Sequence, residues 1–238
     1  MSTPSAVLAA LLRSDPARPR VTCYDDTPGP TRGERIELSA KVLANWVNKA
    51  ANALQEDWDV ERGTTVRLAL PPHWRSCYWA LAVWSVGGTV VVGDDEVAEY
   101  LVTDDPALAD ASTVPTALVT LAALARSAAQ PVPDDVMDEA RELATFADQF
   151  SPWEEPEPGD LALAGDGGDL TYDEVVPRVD WPAGVRVHTR EDDLATLLRH
   201  ALAAWSLDGS LVLSRGPVPE GGDDARLAAE GVTLAIQP

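Results

Sequence analysis

Short apolar runs bounded by Gly, Pro and Asp alternate along most of this chain with stretches whose apolar residues recur every three or four positions. Strands that alternate with helices pair mainly in parallel, because each crossover helix lies on a sheet face, so the expected fold class is α/β, with largely parallel sheets flanked by helices. Residues 65–70 and 89–92 are apolar, β-branched strand candidates, and 100–103 and 117–121 are further short apolar runs. Ser39 stands as an N-cap before Val42, Leu43, Trp46, Val47, Ala50 and Leu54, whose spacing predicts a helix to about residue 55 with Lys41, Asn45, Asn48 and Lys49 on its other face. An apolar helix over 74–86 is stopped by Gly87-Gly88.

Ahead of these elements, 7–13 reads as a helix, and 20–25 with 34–38 as a hairpin around the Pro/Gly turn at 27–30. Residues 134–150 read as a helix. The Pro/Glu-rich stretch 151–159 is the sharpest change of composition, and is expected to connect a first α/β lobe, 1–150, to a smaller one, 160–238. In the smaller lobe the expected order is strand 160–164, short helix 172–176, strand 185–188, helix 192–205, strand 210–213, helix 225–230 and strand 232–236.

Charge and cysteine content narrow the partners. Lys and Arg total 18 against 39 Asp and Glu, a net charge of -21, which repels phosphate backbones and anionic lipid surfaces. Neither nucleic acid nor a membrane is an expected partner, and the acidity is read as solubility. No apolar run reaches the ~20 residues of a membrane helix, and the N-terminus lacks a basic region of the signal-peptide kind, so a cytoplasmic location is expected. Cys23 and Cys77 are the two cysteines, too few for a disulfide framework, and are expected as reduced, packed thiols.

The run Gly33-Glu-Arg-Ile-Glu-Leu-Ser39, the helix with Asn45 and Ala51-Asn-Ala-Leu54, and then Arg62-Gly-Thr-Thr-Val66 with Leu68-Ala-Leu-Pro71 occur in that order. They are followed by Tyr78 to Val92, a helix, a Gly pair and a strand. This series resembles the start of the adenylate-forming enzymes, the acyl-CoA synthetase or AMP-binding superfamily. The residues 160–164 and 170–176 resemble the flanks of that family's phosphate loop, and 183–187, 209–213 and 227–233 resemble its next section. The resemblance implies two lobes like the N-terminal domain of acyl-CoA synthetases, with no C-terminal lid domain. In the family the loop is rich in Ser, Thr and Gly and ends in Pro-Lys-Gly, so that amides, hydroxyls and a lysine wrap the ATP phosphates. Here it is only Gly165-Asp-Gly-Gly-Asp169, with carboxylates where hydroxyls and a cation are needed. The resemblance therefore leaves Asp160, Gly165, Gly167, Gly168 and Thr171 as residues of a degenerate ligand loop, equally readable as a tight glycine turn between strands. Lys41 and Lys49 are the only lysines, so neither lysine that the family uses to offset phosphate charge is matched.

Other groupings point to chemistry more weakly. Six Asp-Asp pairs, among them Asp104-Asp105 and Asp192-Asp193, sit where turns and N-caps favour Asp. His73 and Cys77 are four apart without a third ligand, and His188 and His200 have no serine elbow to serve. Trp46, Trp79 and Trp84 are expected in the core, with Trp58, Trp153 and Trp181 in loop settings that suit an interface. Together these features lead to the expectation of a non-catalytic remnant of an adenylate-forming domain that needs no cofactor, holds no metal, and acts by binding a protein partner or a second copy of itself. The alternative is a nucleotide- or acyl-CoA-binding enzyme with altered chemistry at residues 160–171.

Overall fold

The computed structural model describes residues 2–93, 98–165 and 168–236. The chain begins with α1 (Pro4–Ser14), β1 (Pro19–Asp25), β2 (Glu34–Ser39) and α2 (Ala40–Asn52), which runs on through a π-helical turn, Ala53–Asp57. Next come β3 (Thr65–Ala69), α3 (Trp74–Ser85), β4 (Thr89–Val92), β5 (Tyr100–Thr103), α4 (Pro106–Asp110), β6 (Thr116–Leu118), β7 (Val136–Asp138) and the single turn α5 (Glu139–Glu142). The remainder is β8 (Leu161–Gly165), β9 (Leu170–Thr171), β10 (Arg186–Thr189), α6 (Leu194–Ser206), β11 (Ser210–Arg215), α7 (Asp224–Ala229) and β12 (Leu234–Ala235).

Two sheets result, ordered β12-β10-β11-β1-β2 and β7-β6-β5-β3-β4-β8-β9. Each is parallel except at one edge, where β2 and β9 run antiparallel. The connection at 151–159 does not separate them. β1 pairs with β11 and β4 with β8, so each sheet takes strands from both sides of that stretch, and one apolar core runs from Val7 to Leu213. At its centre lies α3, whose residues Trp74 to Trp84 are all buried, the pattern of a helix enclosed on every side. Trp79 and Trp84 fill the core, while Trp46 is partly buried against it. Ser39, the cap anticipated from sequence, accepts from the Val42 amide, and Asp193, expected inside the helix, is the cap of α6 and accepts from the Thr196 amide.

Residues 134–150 do not form one helix. Val136 and Met137 join the second sheet beside β6, α5 is a single turn, Leu143–Thr145 is a 3-10 turn, and the chain then runs irregularly to 151. The reason is a better arrangement for its carbonyls. Lys49 donates to the carbonyls of Ala144 and Phe146, Asn48 to Asp148, Asn52 to Ala147 and Gln149, and Gln55 to Ser151. Asn48, Asn52 and Gln55 are four and three apart along α2 and the π-helical turn after it, so they line one face and with Lys49 form a docking ladder. Residues 172–176 form a turn rather than a helix, because Tyr172 is buried and donates to the Gly88 carbonyl at 2.7 Å. Among the described residues no helix is long and apolar enough to cross a membrane.

Candidate functional site

The loop singled out from sequence becomes a hairpin between β8 and β9, and its geometry divides the candidate residues. Leu161 pairs with Thr171 and Leu163 with Leu170, which puts Asp160 and Thr171 at the amino end of β8 and Gly165 and Gly168 at its carboxyl end. At ~3.3 Å per strand residue Asp160 and Gly165 stand roughly 16 Å apart, and Thr171 and Gly168, three residues apart, at most about 10 Å. Gly167, with Asp166, lies outside the described residues.

Each described candidate is also occupied. Asp160 receives Nε and Nη2 of Arg62 at 2.6 and 3.0 Å and the Glu157 amide at 2.7 Å. The guanidinium bonds hold its carboxyl below the usual carboxylate range against a smaller effect of burial. The Thr171 hydroxyl lies 2.6 Å from Asp173 and 2.8 Å from Glu174. Gly165 sits opposite Val92 in the parallel register, with a φ of 116°, where a Cβ would stand 1.8 Å from the Val92 carbonyl oxygen. The Gly168 amide donates to the Gly165 carbonyl at 2.8 Å, closing the turn. The absent side chain at 165 therefore serves strand packing.

In parallel sheets ligands bind outside the carboxyl ends of the strands, where the order of strands reverses. Here β4 lies on one side of β3 and β5 on the other, and two cavities open along that edge. One, about 490 Å3, is lined by Leu70, Pro71, Gly93, Thr103, Asp105, Asp192 and Asp193. The other, about 330 Å3, lies where β5 and β6 face the β1–β2 turn; Thr27, Pro28, Thr31, Asp104, Leu118 to Ala122 and Arg215 line it. Arg215 Nη1 is 2.7 Å from Asp25 Oδ2, and Asp25 also accepts the amide and hydroxyl of Thr27. Burial opposes the Asp25 charge, but Thr27 and Arg215 hold its carboxyl below the ordinary value. Burial raises Asp104, with Arg215 opposing and Asp105 adding to the rise.

Sequence reasoning passed over this cavity. Asp104 was visible only as half of an Asp pair after a strand, and nothing marked Arg215. The arrangement offers an apolar wall, threonine side chains, the Arg215 guanidinium paired with Asp25, and one carboxyl that burial shifts upward, a mix of apolar lining and few polar groups that is common in small-molecule cavities. A nucleophile and base do not converge on it. His73 is buried, accepts the Arg75 amide on Nδ1, and is pushed down to about 3 by burial and by the charges of Arg215 and Arg75. It packs against Trp74, as does the core around Cys77. Both thiols are buried, and burial pushes each up to about 12. Among the described residues no group of three His, Cys, Asp or Glu is placed to hold a metal ion.

No family model matches the sequence. It is 34% identical over 176 residues, 69% of either chain, to the TIGR03089 family protein of Mycobacterium tuberculosis strain H37Rv. Among solved structures, the Brucella canis acyl-CoA synthetase superposes with a TM-score of 0.73 at 14% identity, covering 99% of this chain and 47% of that one. The inhibitor-bound N-terminal domain of FACL13 from Mycobacterium tuberculosis gives 0.68 at 16% identity, covering 99% of this chain and 62% of that one. The chain thus spans about half the length of a full acyl-CoA synthetase and less than two thirds of that N-terminal domain. The chain belongs to the TIGR03089 family, and its fold is that of the N-terminal domain of the acyl-CoA synthetases.

Proposed function

We propose that this protein is a non-catalytic relative of the adenylate-forming enzymes, a cytoplasmic protein without a cofactor, which works by binding. The observation that carries this reading is the separation of the loop residues. Asp160 and Thr171 stand at the wrong end of β8 for a ligand at the carboxyl edge, and both are taken up by Arg62 and by Asp173 and Glu174. A triphosphate also needs cations, and the nearest lysine in sequence, Lys49, is bonded to the 144–148 segment. An acidic loop in a chain of charge -21 repels the same ligand.

Thermal unfolding with millimolar ATP and Mg2+, with AMP and with coenzyme A, at matched ionic strength, tests it. A ligand at 100 times its Kd adds about 2.7 kcal/mol, a rise of several degrees for a chain this size. No rise with any of the three is the expected result, and a clear rise with ATP or AMP overturns the proposal. The cavity with Asp104 and Arg215 favours one second reading, a small-molecule binder with altered chemistry, for which a rise with coenzyme A alone is the signature.

A further inference from the structure

The first sheet has one apolar and one polar face. Paired residues share a face, so the register of Thr22 with Val212 and His188, of Tyr24 with Ser214, and of Arg186 with Ser210 puts six polar side chains on one side. His188 Nε2 and Ser214 Oγ are 3.1 Å apart there and both are buried. The other face, with Val21, Cys23, Leu211 and Leu213, joins the main core.

The segment after β11 is fastened over the polar face almost entirely by charge. No residue of α7 is buried. Arg226 makes two bonds to Asp26, at 2.6 and 3.1 Å, and lies 4.2 Å from the Tyr24 ring centroid. Asp223 receives Arg190 at 2.6 and 2.9 Å. Glu230 receives Arg186 at 2.5 Å, Arg35 at 2.8 Å and the Tyr24 hydroxyl at 2.5 Å. Apolar anchoring is limited to Leu234 and Ile236, which are half-buried and, with Trp181, pack on the small cluster of Val185, Val187 and Ala204. Amides of Thr233 and Ile236 bond to the Arg186 and His188 carbonyls. The segment leaves β11 at Gly216, where a Cβ would meet the Thr27 nitrogen at 2.5 Å, and passes through Pro217, Pro219 and Gly221-Gly222.

We propose that residues 216–236 form a flap, latched by these ion pairs, that opens as one unit while both sheets remain folded. Opening breaks the ion pairs, the short parallel pairing of β12 with β10 and the Arg186 amide bond to the Thr233 hydroxyl, and exposes the few apolar contacts of Leu234 and Ile236; segments held in this way belong to the low-stability end of a fold. It also releases Arg35, Arg186 and Arg190 from Glu230 and Asp223, and Asp26 from Arg226, uncovering the β10 edge and a face of mixed charge on which Glu37 stays paired with Arg35. Ionic strength favours the open form, because partly exposed pairs are screened.

Hydrogen exchange on the full chain tests this. The amides of residues 227–236 are expected to exchange at one common rate, at least about ten-fold faster than those of β1 and β11. That rate rises between about 0.05 and about 0.5 M NaCl. Glu230→Gln raises it several-fold further without altering β1, β11 or the second sheet, whereas Arg226→Lys, which keeps the charge, has the smaller effect. Exchange of 227–236 at the core rate, a rate indifferent to salt, or a response to Glu230→Gln only in step with the whole protein, each overturns the proposal.

Discussion

Replacing Asn52 by alanine isolates the device that shapes residues 143–153. Asn52 is 4% exposed, and its Nδ2 donates to the carbonyls of Ala147 at 3.0 Å and Gln149 at 2.9 Å. Each neutral hydrogen bond contributes about 0.5–1.5 kcal/mol net, so losing both removes about 1–3 kcal/mol. Alanine returns about 0.5 kcal/mol through its higher helix propensity. The expected net loss is about 0.5–2.5 kcal/mol, and at about 2–4 °C per kcal/mol for a chain of this size the melting temperature falls by roughly 1–10 °C. Urea unfolding gives the free energy, and hydrogen exchange shows whether the 144–153 segment loosens first. Asn45→Ala is the control, since Asn45 lies outside the ladder and its buried Oδ1 has no partner; it is expected to stay within about 0.5 kcal/mol. If Asn52→Ala is as neutral as the control and leaves 144–153 protected, the ladder does not hold that segment.

Three further substitutions probe other supports. His73 is neutral in the fold and the unfolded chain takes the proton first, so stability is full above the unfolded pKa near 6.5 and falls as pH drops towards about 3, by up to about 1.4 kcal/mol per pH unit. His73→Asn keeps an N-cap acceptor, and the difference in urea midpoint between wild type and variant should narrow from pH 7 to 5. Gly165→Ala forces a Cβ against the Val92 carbonyl and is expected to cost more than about 3 kcal/mol, read as a large fall in melting temperature; a near-neutral result refutes the close approach of β4 and β8. Arg75 and Glu139 form a buried pair, 2.9 Å apart and 3% and 0% exposed. Arg75→Met leaves the buried Glu139 carboxylate without its cation, held by the Tyr78 hydroxyl, at about 3–5 kcal/mol, and Arg75→Met with Glu139→Leu together should recover most of that loss; urea midpoints of the single and double variants decide.

Most elements of the fold were legible where a local signal specifies them. Ser39 as a cap, the largely apolar α3 and the β-branched β4 each state their own structure, and parallel pairing follows from alternation. Assignment of strands to sheets was not legible. The apolar run of β1 carries no mark that its partner is β11, about 190 residues later, so the composition break at 151–159 looked like a boundary that the strand pairing crosses in both directions. The helix anticipated over 134–150 failed for a related reason: its carbonyls are satisfied by side chains of α2, about 95 residues earlier.

The candidate site shows the same limit at closer range. A motif written along twelve residues places Asp160, Gly165 and Thr171 together only if the loop between its flanks wraps a ligand; with that loop cut to five residues, the flanks close into an antiparallel hairpin. Antiparallel pairing returns Thr171 to the level of Leu161 and leaves the glycines alone at the carboxyl edge. The cavity that does lie on this edge is assembled from Asp104, Arg215 and the β1–β2 turn, three distant parts of the chain brought together by the two sheets. A site made in this way has no linear signature, whereas a phosphate loop has one. On the proposed binding role, Asp104 and Arg215 are therefore the residues to vary for a small molecule, ahead of residues 160–171.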